Sequence, residues 1–93
     1  MKVEVHVFFP FRAEIGEGSI PLDLPPGADV ARAVAALVER YPQLRERIYG
    51  PGGRIGRHVS ALVNGISIQF KRGFTTPLDE GDVLTLLPPV GGG

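Results

Sequence analysis

Apolar and polar residues alternate from the start of the chain. Val3, Val5 and Val7 fall on one side and Glu4, His6 and Phe8 on the other, the period of a strand with one buried face. The stretch "SIPLDL", Ser19 to Leu24, predicts a second strand, with Pro21 marking an edge or a bulge. Between them "RAEIGEG" reads as a turn broken by Gly16 and Gly18. In "PPGADVARAVAALVERYP" the period changes. Val30, Val34, Leu37, Val38 and Tyr41 recur at helical spacing, predicting an amphipathic helix from Asp29 to Tyr41. Asp29 supplies the N-cap and Pro42 the stop. Leu44, Ile48 and Tyr49 predict a short helical turn, and a glycine-rich loop follows from Gly50 to Gly56. Strands are expected over His58–Val63 and Ile66–Phe70, joined by Asn64-Gly65, a pair suited to a tight hairpin because both residues accept positive φ. "PLDEGD" reads as a turn and Val83–Leu87 as the last strand. The pattern predicts an α+β fold, a mixed sheet with one main helix packed on one face. A single helix leaves the other face to water or a partner.

The 93 residues suffice for one core. Ten basic and ten acidic residues are interspersed along the chain, which argues against nucleic acid as a partner. The absence of cysteine excludes disulfides, thiolate nucleophiles and thiolate metal sites. No stretch approaches the ~20 apolar residues of a membrane span, and the alternating N-terminus is unlike a signal peptide. A cytoplasmic protein without a membrane partner is expected. "GPGGRIG" lacks the Lys-Ser/Thr and helix start of a phosphate loop, so it reads as a surface turn. Asp79, Glu80 and Asp82 surround Gly81 with no calcium-loop spacing, and no metal is assigned. Neither His6 nor His58 has a partner at catalytic or ligating spacing. No side chain is assigned to catalysis.

Two features remain. Phe8 alternates away from the helix-covered side, and Leu87 shares a side with Val83 and Thr85, opposite Leu84 and Leu86. Phe8 and Leu87 are therefore expected on the open face as a partner-binding patch, which Pro88, Pro89 and Val90 continue. The other feature is the tail, residues 88–93, set apart from a domain of residues 1–87. Pro88 and Pro89 fix φ and project the chain outward. Beyond Val90, the glycines Gly91, Gly92 and Gly93 carry no Cβ and fit a narrow channel. The only reactive group in this stretch is the α-carboxylate of Gly93.

The strand order, "LVNG", "TPLDEGD" and above all "LDEGDVLTLLPPVGGG" together resemble the ThiS/MoaD sulfur-carrier family, most nearly the small subunit of molybdopterin synthase. Members of that family commonly end in Pro-Pro-Val, a small residue and two glycines; here the small residue is Gly91. The resemblance implies a ubiquitin-like β-grasp fold and a chemical cycle on Gly93. An E1-like adenylating enzyme (MoeB/ThiF-like) would use ATP and Mg2+ to form an acyl adenylate. A sulfur donor enzyme would convert it to a thiocarboxylate, and a molybdopterin synthase large subunit (MoaE-like) would receive the tail and its sulfur. The chain itself would be a non-catalytic carrier that binds no cofactor stably. The sulfur could instead serve tRNA thiolation or thiamin. The same tail could form isopeptide bonds as a protein modifier, or the chain could be an interaction module with an inert tail.

Overall fold

In a computed structural model, residues 1–56 and 59–87 are described. Five strands form one sheet in the order β2-β1-β5-β3-β4. They are β1 (Lys2–Val7), β2 (Ser19–Asp23), β3 (Ser60–Val63), β4 (Ile66–Ser67) and β5 (Val83–Leu87). β1 and β5 run parallel at the centre, and the remaining neighbours are antiparallel. The helix α2 (Val30–Arg40) lies between β2 and β3 in the chain. A mixed sheet with a central parallel pair and one main helix is the ubiquitin-like β-grasp architecture.

The alternation in β1 arises because Val3, Val5 and Val7 face α2 and are buried. Asp29 caps α2 by accepting the Arg32 N–H at 2.8 Å, and Val30, Val34, Leu37 and Val38 are its buried stripe. Leu84 and Leu86 of β5 join the same core. Asn64 and Gly65 both take positive φ, 49° and 84°, as the two-residue hairpin requires. Leu44 and Ile48 are buried on a short 3-10 turn (Pro42–Leu44) that runs into α3 (Arg45–Ile48).

The sheet protects its edge at β2. The Val7 N–H donates to Gly18 O at 3.0 Å and the Leu24 N–H to Met1 O at 2.8 Å. Alternation then places Pro21, opposite Glu4, where backbone groups point away from β1. Proline offers no N–H there, and its carbonyl accepts from Arg40 Nη1 at 3.1 Å. Pro21 is thus an edge residue without a bulge.

Three expectations are corrected. "RAEIGEG" is not simply a turn: Phe11–Ile15 form a short helix, α1, closed by Gly16 at φ 77°. Phe11 is fully buried and anchors it. The strand expected over Ile66–Phe70 stops after Ser67, and Ile68–Phe70 form a 3-10 turn. Ser67 Oγ accepts the Gln69 N–H at 3.2 Å and turns the chain out of the sheet. Phe8, drawn into the first strand by alternation, lies just beyond its end at Val7. β3 begins at Ser60, and His58 falls outside the described residues.

Candidate functional site

Because β1 and β5 are parallel, both finish at the same end of the sheet, where Val7 pairs with Leu86. Phe8 follows the end of β1, and Leu87 is the last residue of β5. Phe8 is 50% exposed and its neighbour Phe9 77%. Leu87 is half-buried and sits opposite Ser60 of β3. Two partner-patch candidates thus come to one rim of the sheet. Pro88, Pro89, Val90, Gly91, Gly92 and Gly93 lie outside the described residues.

From this rim the face opposite α2 can be read in rows. Ser19, His6, Thr85, Leu62 and Ser67 face one another across all five strands, and Pro21, Glu4 and Val83 form the next row. Val83, Thr85, Leu87 and Leu62 are half-buried, so the β5–β3 side is mainly apolar while the β2–β1 side is polar. On the polar side the Ser19 hydroxyl donates to Glu4 Oε1, and His6 Nε2 lies 3.4 Å from the same oxygen. The Ser19 hydrogen bond, followed by that of His6, holds the Glu4 carboxyl below its usual range. Both groups address Glu4, so the hydroxyl has no imidazole base. The arrangement does not activate the Ser19 hydroxyl as a nucleophile.

The acidic turn is also committed. Asp82 accepts the Asp79 N–H at 2.8 Å with one oxygen and the Asn64 amide at 2.9 Å with the other. Glu80 Oε1 accepts the Lys2 N–H at 3.1 Å, and Asn64 Oδ1 accepts the Val83 N–H at 2.9 Å. These carboxylates tie the turn to β1 and to the hairpin. Among the described residues, no three His, Cys, Asp or Glu side chains converge as a metal site. Nor is any helix among them long and apolar enough to cross a membrane.

Alternation could not reveal Phe9 and Arg12 at the rim, because Phe9 lies on the turn after β1 and Arg12 on a helix too short to show a period. Arg12, on α1, lines a hollow with Phe9, Ala13 and Gly16, and a second hollow with His6, Phe8, Gly18 and Ser19. Ile66, 51% exposed, and Phe70, 84% exposed, are further apolar side chains, on and just after the opposite edge strand, β4.

Comparison with known proteins bears on this site. The model of the ThiS family matches residues 5–93. Small archaeal modifier protein 3 of Haloferax volcanii is 33% identical over 93 residues, all of both chains. The sulfur carrier protein CysO of Mycobacterium tuberculosis is 32% identical over 69 residues, 72% of this chain and 74% of that one. Among solved structures, SAMP1 of Haloferax volcanii superposes with a TM-score of 0.89, at 30% identity over the whole of both chains. A chain from the complex of subunits 1 and 2 of the molybdopterin-converting factor of Helicobacter pylori gives 0.62, at 29% identity, covering all of this chain and all of that one.

Proposed function

The chain belongs to the ThiS family, whose members include sulfur carriers and small protein modifiers, and we propose that its working group is the α-carboxylate of Gly93. A carboxylate is a poor electrophile. Its oxygen attacks the α-phosphorus of ATP on an adenylating partner, pyrophosphate leaves, and the acyl adenylate that results carries a good leaving group. Sulfide released by a sulfur donor then attacks the carbonyl, the C–O bond to AMP breaks and AMP departs, leaving a thiocarboxylate. Sulfur is carried in this way without a cysteine, and the chain contains none. ATP, its Mg2+ and the catalytic side chains belong to the partners.

The observation that carries this reading is the family match, which runs through the triple glycine to residue 93. The parallel β1–β5 pair supports it, because Leu87 is delivered to a rim lined by exposed Phe8 and Phe9. Delivery of the sulfur to a molybdopterin precursor, with this chain as the small subunit of the synthase, is the finer reading. It is supported by the likeness to a complex of two molybdopterin-converting factor subunits. A second reading, attachment of Gly93 to protein lysines, is favoured by the full-length relative named as a modifier protein.

Mass spectrometry tests both. After incubation with the adenylating enzyme, ATP and a sulfur source, one terminal oxygen of Gly93 should be replaced by sulfur. An added residue after Gly93 should abolish the change. Thiolation of the extended chain would overturn the carrier reading. Gly93 isopeptides on cellular lysines would establish the second reading, and co-purification with a synthase large subunit the first.

A further inference from the structure

Among the described residues Phe70 is the most exposed large apolar side chain, at 84%, yet its loop is firmly held. Ser67 Oγ accepts the Gln69 N–H at 3.2 Å, the Lys71 N–H donates to Ile68 O at 3.0 Å, and the Arg72 N–H donates to Thr76 Oγ1 at 3.0 Å. Thr76 is 4% exposed, and its hydroxyl donates to Gly73 O at 2.7 Å. The phenyl ring is thus presented from a fixed backbone, with exposed Ile66 before it on β4. Lys71 and Arg72 follow it, both exposed, in a stretch from Asn64 to Leu78 that has no carboxylate. Among the described residues neither cation has an ion-pair partner. Elsewhere on the molecule, α2, α3 and the glycine-rich loop after α3 enclose a cleft of about 580 Å³. Val38, half-buried Tyr49 and Gly53 give it an apolar lining, and Glu39 and Glu46 line it with a single cation, Arg45. These three charges have no ion-pair partner among the described residues either.

The loop carries an aromatic ring and two cations, and the cleft carries an excess of carboxylate with room for a ring. We propose that the Phe70 loop of one copy of this chain docks in the Glu39–Glu46 cleft of a second copy, the ring against Val38 and Tyr49 and the two cations facing the two carboxylates. A phenylalanine ring buries about 150–250 Å², and a loop ordered beforehand loses little further freedom on docking. Charge complementarity selects the occupant. The contact joins unlike surfaces and is therefore head-to-tail. It uses none of Phe8, Phe9 and Leu87, so the rim where β5 ends stays open in the assembled form. One loop in one cleft is small beside the ~1,200–2,000 Å² of a stable interface, so the association is weak and concentration-dependent.

The test is sedimentation velocity of the full chain at concentrations up to about 1 mM, the range for so small a contact. The wild type should shift to heavier species as concentration rises, and Phe70→Ala should weaken that association about tenfold or more. Lys71→Glu with Arg72→Glu, and separately Glu39→Lys with Glu46→Lys, should each weaken it at least as much. Mixing the two double variants should restore it, because every loop then meets a cleft of opposite charge. All five residues are exposed, so circular dichroism melts of the variants should stay near that of the wild type. A wild type that remains monomeric at about 1 mM would overturn the proposal. So would a mixture no heavier than its two components, or an association lost in Phe8→Asp and kept in Phe70→Ala.

Discussion

Leu37 is 1% exposed on the α2 stripe and belongs to the same core as residues of β1, β2 and β5. Its spacing from Val30 and Val34 made that burial legible in the sequence. Leu37→Ala should cost ~2–5 kcal/mol, the range for a leucine whose site cannot collapse. A loss of only a few tenths in urea melts would show that the stripe faces another way. Glu4 is a different case. Alternation placed its side chain on the open face beside His6, but its other partner, Ser19, comes from β2, fifteen residues away, and nothing in a local pattern identifies it. The Glu4 carboxyl is held below its usual range first by the Ser19 hydroxyl and then by His6. A carboxylate lowered by folding stabilises above its unfolded pKa, and that contribution is lost as the pH falls through the folded value. Ser19→Ala should therefore raise the Glu4 pKa towards its ordinary value, as followed by carbon NMR of the side-chain carboxyl. An identical titration curve in the variant would show that the hydroxyl is not the cause.

The elements that were legible are those whose signal is either long or chemically unambiguous. α2 spans three turns with its own cap and stop, and Asn64-Gly65 satisfies a turn few other pairs can make. The two that were misread are short. α1 has five residues, too few for helical spacing to recur, and its anchor Phe11 looks in sequence like one more apolar residue after "FF". "ISIQF" alternates as a strand should, yet Ser67 satisfies the Gln69 N–H with its own hydroxyl and ends the pairing. β2 was legible for the opposite reason, since a proline within an alternating run has few places but an edge. The structure adds the part played by Arg40, which occupies the carbonyl that Pro21 turns outward. An edge strand with free donors and acceptors templates another strand. Replacing Pro21 with valine and Arg40 with alanine together should raise self-association above that of the wild type, read by sedimentation across a concentration series. Equal sedimentation of the two proteins would mean that the edge is protected by something else.

At the scale of the whole molecule, the fold divides its labour by face and by end. The core is built from residues between Val3 and Leu86, so the α2 side of the sheet is committed to stability. The opposite face and the Phe8–Leu87 rim lie outside that core. The sequence pointed to Phe8 and Leu87, but it could not show that the rim where they meet is also where α1 brings Phe9 and Arg12. If a partner takes up residues 88–93, each ordered residue costs about 1–2 kcal/mol, and glycine more than most. Burying a large apolar side chain returns ~1.5–3 kcal/mol, so the rim is where that cost is most directly offset. The two exposed apolar regions then predict different outcomes. Phe8→Asp, at the rim and half exposed, should leave thermal melting close to the wild type and weaken binding to the adenylating enzyme. Phe70→Asp, beyond the β4 edge and more exposed still, should change neither. Equal losses from both variants would mean that charge or general stickiness governs the encounter. A loss confined to Phe70→Asp would move the tail-receiving surface to the β4 edge, away from the end at which β5 finishes.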